Sequence, residues 1–100
     1  MAKEDRTKVR IYLNGANTSY QSAINLARVL NSNRGLPTRL GLSLGQMQFN
    51  VPSHQTFLEK GDTDYFVTAS MPGRVNPNDA VRAIAQIVVG HKYSADVRTL

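Results

Sequence analysis

The side chains best suited to chemistry are few and poorly grouped. The two histidines, His54 and His91, stand 37 residues apart, and no HxH, HxxxH or His–carboxylate spacing puts two ligands on one face of an element. No metal site is expected. His91 follows an apolar helical run and reads as a cation near a helix C-terminus, and His54 reads as a polar strand residue. Asp62 and Asp64 have a spacing that suits acid–base work, but Gly61-Asp62-Thr63-Asp64 is ordinary turn chemistry. No serine lies in a GxSxG elbow, and Gly15, Gly41 and Gly45 match no phosphate-cradling loop. The absence of cysteine removes thiol nucleophiles, thiolate zinc sites and disulfides together. The sequence therefore reads as a non-enzyme without catalytic residues, cofactor or small-molecule substrate, and the remaining classes are binding classes.

Charge gives the binding reading its direction. The 100 residues carry a net charge of +5, and the whole excess lies in residues 1–50, where seven Lys or Arg face only Glu4 and Asp5. From Arg6 to Gln55 there is no carboxylate, and the polar positions are Arg, Lys, Asn, Gln, Ser and Thr. Such a surface suits phosphate contacts joined to hydrogen bonds with bases and sugars. Tyr12, beside Lys8 and Arg10, suits base stacking on an open sheet. The basic residues are spread along the chain and not gathered on one amphipathic helix, so no membrane partner is expected. With no apolar run of spanning length and a polar N-terminus, a cytosolic-type soluble protein is expected, one domain over residues 1–100.

These side chains need elements to hold them. Thr7 to Leu13 alternates strictly, with Val9, Ile11 and Leu13 on one face and Lys8, Arg10 and Tyr12 on the other; it predicts a half-buried strand ending in an Asn14-Gly15 turn. Ser19 to Asn33 has two readings. As a helix it has Ser19 as cap, a stripe of Tyr20, Ala23, Ile24, Ala27 and Leu30, and a stop at Asn33-Arg34-Gly35. As a strand it places Tyr20, Ile24, Leu26 and Leu30 on one face. The local signal favours the helix. Leu36-Pro37 predicts a break, and Leu40, Leu42 and Leu44 a strand whose phase slips at Gly45 so that Met47, Phe49 and Val51 continue it. His54 to Lys60 reads as a further short strand, Tyr65 to Met71 as a strand, and Ser94 to Leu100 as the start of a helix.

The helix with the fullest set of signals begins at Asn76 as cap, with Pro77 at its first position and Asp79 in its first turn, and closes at Gly90 with His91-Lys92. Val81, Ile84, Ala85, Ile87 and Val88 make its far half apolar almost all round, and Val89 extends it. That width predicts packing on a sheet and against a partner chain as well. The fold class expected is α+β: an antiparallel β-sheet with the C-terminal helix packed on it across a dimer.

Val9-Arg10-Ile11-Tyr12-Leu13-Asn14-Gly15, Leu36-Pro37-Thr38-Arg39-Leu40, and Tyr65 to Pro72 leading to Asn78-Asp79-Ala80-Val81 follow an order that resembles the coat protein of small single-stranded RNA bacteriophages. The resemblance implies a capsid protein of the virion, assembled in the host cytoplasm. It implies a homodimer whose sheets join and whose C-terminal helices lie over the partner's sheet. It further implies RNA on the opposite sheet face, with Arg39, Ser43, His54, Thr56 and Thr68 as counterparts there beside Lys8 and Arg10. Two other readings stand beside it: a ferredoxin-like α+β nucleic-acid-binding regulator, and an inhibitor or adaptor that binds a protein through the Val81–Val89 face. The conformation of residues 19–33 separates the coat protein from the regulator.

Overall fold

The computed structural model describes residues 6–14, 19–43, 45–60 and 65–99. Four strands form one antiparallel sheet: β1 (Arg6–Leu13), β2 (Gln48–Asn50), β3 (Phe66–Pro72) and β4 (Ala95–Thr99), in the order β2-β3-β1-β4. Four helices accompany it among the described residues: α1 (Tyr20–Ser32), α2 (Gly35–Arg39), α3 (His54–Lys60) and α4 (Pro77–Gly90). With the short α2 and α3 set aside, the chain runs β-α-β-β-α-β with β1 and β3 at the centre, which is the split βαβ arrangement of ferredoxin-like domains.

β1 behaves as its alternation predicts. Thr7, Val9, Ile11 and Leu13 are buried, while Arg6, Lys8, Arg10 and Tyr12 point the other way. The register sets Val9 against Ala69 and Ile11 against Val67, and Phe49 of β2 against Ala69. All of these share one core cluster with Ala23, Leu26 and Leu30 of α1 and with Ala80, Ala83, Ile84 and Val88 of α4. Thr7 is the buried polar exception, and its Oγ1 donates to the Val75 carbonyl at 2.9 Å, which ties the start of β1 to the loop before α4.

Residues 20–32 are helical. Ser19 Oγ accepts from the Ser22 N–H at 3.1 Å, satisfying one of the free donors of the first turn. The strand expected over Leu40–Leu44 does not form at its described residues, 40–43. Asn33 Oδ1 accepts from the Leu36 N–H at 3.0 Å and opens α2 instead, with Pro37 tolerated in the first turn. Gly41, at φ +72°, then stops that helix in the left-handed conformation. Leu44 and Gly15 lie outside the described residues. The phase after Gly45 is as expected, since Met47 and Phe49 are buried and Gln48 and Asn50 exposed.

The expected strand over His54–Lys60 is likewise a helix, α3. Ser53 Oγ accepts from the Thr56 N–H at 3.2 Å, so the residue read as a terminator is a cap. The C-terminal segment errs the other way, being strand β4 where a helix start was expected. Five residues hold too little pattern to separate the periods, and pairing with β1 decides between them. α4 begins as read, with the Asn76 side chain accepting from the Asn78 N–H at 2.8 Å. It ends on Lys92, at φ +64°, with Lys92 N–H donating to Val89 and Tyr93 N–H to Val88. That is a Schellman stop with lysine in the position that glycine usually fills.

Candidate nucleic-acid interface

The face of the sheet turned away from the core is a platform. β1 supplies Arg6, Lys8, Arg10 and Tyr12; the register sets Ser70, Thr68 and Phe66 of β3 beside Lys8, Arg10 and Tyr12 on one side, and Asp96 and Arg98 of β4 beside Tyr12 and Arg10 on the other. Gln48 and Asn50 of β2 extend the same face opposite Ser70 and Thr68. The one acid among the described residues of this face, Asp96, pairs with Arg98 at 3.6 Å. Four cations and one carboxylate therefore share the face with hydroxyls, amides and a tyrosine ring.

Arg10 organises the centre of the platform. Its guanidinium lies 4.4 Å from the centroid of the Phe66 ring, and its Nη1 donates to the Tyr12 hydroxyl at 3.1 Å. Arg98 lies over the other ring, 5.6 Å from the Tyr12 centroid. Tyr12 and Phe66 are themselves neighbours, with centroids 5.5 Å apart and tilted planes. No carboxylate neutralises Arg10, and its Nε is buried without a hydrogen-bond partner among the described residues. A buried donor left unmet costs free energy, and the guanidinium nitrogens beyond it carry the charge that faces the platform. Arg6 is held differently, donating from Nε and Nη2 to Ser70 Oγ, both at 3.1 Å.

One end of the platform is closed by α3. Phe57, 1% exposed, sets its ring against Phe66 (5.1 Å) and Tyr65 (5.0 Å), and His54 stacks on Tyr20 at 4.7 Å. This aromatic group keeps Phe66 buried and leaves Tyr12 half-exposed, so Tyr12 is the ring available for stacking.

Of the seven residues expected to contact nucleic acid, Lys8, Arg10 and Thr68 share the platform. The other four do not. Arg39 ends α2 and donates to Gln86 Oε1 of α4 at 2.8 Å; Ser43 lies in the loop after it; His54 and Thr56 belong to α3. They share a sheet face only if residues 39–44 and 54–60 are strands, and the Asn33 side chain bonded to the Leu36 N–H and the Ser53 cap start helices there instead. Gln48, Asn50, Ser70 and Arg98 were missed. The alternation after Gly45 and the register partners of Lys8 and Arg10 carry them, and the register was not readable from one sequence.

The expected dimer face needs a correction of the same kind. Ile84 and Val88 are 0% and 1% exposed within a single chain, so they belong to its own core and are not available to a partner. Val81, Ala85 and Ile87 are half-buried, and Val89, 71% exposed, is the one open apolar position of that run. The centre of the apolar stripe of α4, Ile84 and Val88, is thus used inside the chain. Asp62, Asp64 and the Gly61 turn lie outside the described residues. Comparison with family models, with curated proteins and with solved structures finds no match in any of the three.

Proposed function

We propose that this chain binds single-stranded RNA on the open face of its sheet and does so paired with a second copy of itself. The observation that carries the first part is Arg10: a guanidinium with no ion-pair partner among the described residues, stacked on the Phe66 ring and bonded to the Tyr12 hydroxyl on a face of four cations. Cations position phosphates, the Tyr12 ring offers a stacking surface for a base, and Gln48, Asn50, Thr68 and Ser70 supply donors and acceptors for base edges and sugars.

Self-association is supported by the edges of the sheet. At β2 the outward backbone groups of Phe49 are already met by Asn31, whose Nδ2 donates to the Phe49 carbonyl at 2.9 Å and whose Oδ1 accepts from its N–H at 3.1 Å. β4 has no such cover among the described residues. Asn14 N–H donates to the Ser94 carbonyl at 3.0 Å, which fixes the phase: Asp96 and Arg98 turn their backbone groups to β1, and Ala95, Val97 and Thr99 turn theirs outward. A second β4 running antiparallel about Val97 meets all three. It also sets each Asp96 directly opposite the partner's Arg98, whereas the registers centred on Asp96 or on Arg98 oppose like charges. The two platforms then form one continuous surface.

The helix over Tyr20–Ser32 and the strand order favour a ferredoxin-like binding domain. The coat-protein reading keeps the support of the free β4 edge, since a sheet continued across two copies is what that resemblance implies. Size-exclusion chromatography with light scattering and an absorbance ratio distinguishes them. A dimer that binds oligoribonucleotides supports the binding domain, and a megadalton species rich in nucleic acid supports the coat protein. A protein that binds no RNA at low salt overturns both. For the pairing itself, Arg98→Asp is expected to dissociate the dimer and the swap Asp96→Arg with Arg98→Asp to restore it; a monomeric swap variant would contradict the register.

A further inference from the structure

On the helical side of the molecule, a cleft of about 430 Å3 opens between α2, the first turns of α4 and the loop leaving β3. Three guanidinium side chains line it, Arg39, Arg74 and Arg82, with Asp79 as the one acid. We propose that this cleft is a phosphate site that takes the backbone of an RNA strand as it leaves the sheet platform, an inference that rests on the function proposed above.

The arginines are held without being neutralised. Arg39 Nη1 donates to Gln86 Oε1 at 2.8 Å and Arg74 Nη2 to Gln46 Oε1 at 3.5 Å, both neutral acceptors. Arg82 has no hydrogen-bond or ion-pair partner among the described residues, and Asp79 makes no ion pair with any of the three. Amide partners orient a guanidinium yet leave its charge uncancelled, so three like charges face one cavity at a cost in mutual repulsion. A phosphate removes that repulsion and accepts the parallel N–H pairs that a guanidinium offers.

The cleft also lies where a strand on the platform would run. Arg10, Lys8 and Arg6 form a row down the open face of β1, and Arg6 stands opposite Pro72, the last residue of β3. Arg74 follows two residues later, in the loop that passes from the sheet to α4. The row of cations therefore continues around the end of the sheet into the cleft.

Pyrophosphate, titrated into the isotope-labelled full chain and followed at the arginine side-chain resonances, tests the site apart from the platform. Saturable shifts at Arg39, Arg74 and Arg82, lost in the double variant Arg39→Gln with Arg82→Gln, are expected. The absence of saturable shifts overturns the site. Strand continuity is read with a pentanucleotide and a dodecanucleotide of RNA. The double variant is expected to weaken the longer one about tenfold or more, to reduce its salt slope by about 1.4, and to leave the shorter one unchanged. Equal dodecanucleotide affinity in variant and parent would make the cleft a site for a free phosphate compound and overturn the strand. If Lys8→Gln with Arg10→Gln left pentanucleotide binding intact while pyrophosphate still occupied the cleft, the platform reading would fail and the shared strand with it.

Discussion

The two faces of β1 are made by the same eight residues and obey different rules. On the inner face Val9, Ile11 and Leu13 are fixed by packing against Val67, Ala69 and the helices α1 and α4, and Thr7 by its hydrogen bond to the Val75 carbonyl. On the outer face Arg6, Lys8, Arg10 and Tyr12 make no core. They are grouped by charge and ring contacts that satisfy one another only in part, since Arg10 keeps an unmet donor and no carboxylate beside it. Stability lives on the inner face, and the unfinished chemistry lives on the outer one.

If that division is right, substitutions should separate cleanly into those that unfold the chain and those that leave the fold intact while weakening binding. The largest effect belongs to the inner side: Ile84→Asp buries an unpaired carboxylate, and even Ile84→Ala is expected to cost about 2–5 kcal/mol in urea unfolding. A well-folded Ile84→Asp monomer would break the comparison, because it would return Ile84 to a partner interface. Next comes Lys8→Gln with Arg10→Gln, which should keep the circular-dichroism spectrum and lower the salt slope of RNA binding by about 1.4. Tyr12→Ala is expected to lose about 1–3 kcal/mol of RNA affinity, and Tyr12→Phe to retain most of it, since stacking needs the ring and not the hydroxyl. The smallest effect sits on neither face. Lys92→Gly should raise stability by about 0.5–1 kcal/mol in a thermal melt, by relieving the left-handed lysine at the end of α4.

Legibility followed the same division. Alternation in Thr7–Leu13 and the capped, amphipathic run after Asn76 were readable because each element's pattern is long enough to fix its period, and both stand where the sequence places them. The short elements were not. Leu40, Leu42 and Leu44 alternate by coincidence across a helix stop, and Pro52-Ser53 opens α3 where a strand ending was read. Those two misreadings moved Arg39, Ser43, His54 and Thr56 onto a face they do not occupy. The width of the α4 stripe misled for a different reason: Ile84 and Val88 needed the apolar faces of β1 and β4 as cover, and nothing local to α4 shows how much cover a sheet supplies. Of the platform, Lys8, Arg10 and Tyr12 were visible from β1 alone. Ser70, Gln48, Asn50 and Arg98 required the register.

The measurement that bears most directly on the open face is a titration of the isotope-labelled chain with a pentanucleotide of RNA at low salt, followed by amide and arginine side-chain resonances. Shifts confined to Lys8, Arg10, Tyr12, Thr68, Ser70 and their neighbours on β2 and β4 are predicted, with the Arg10 Nε–H resonance among the most displaced. Shifts confined to α1 and α4, or none that saturate, would contradict the assignment of the binding surface to the sheet.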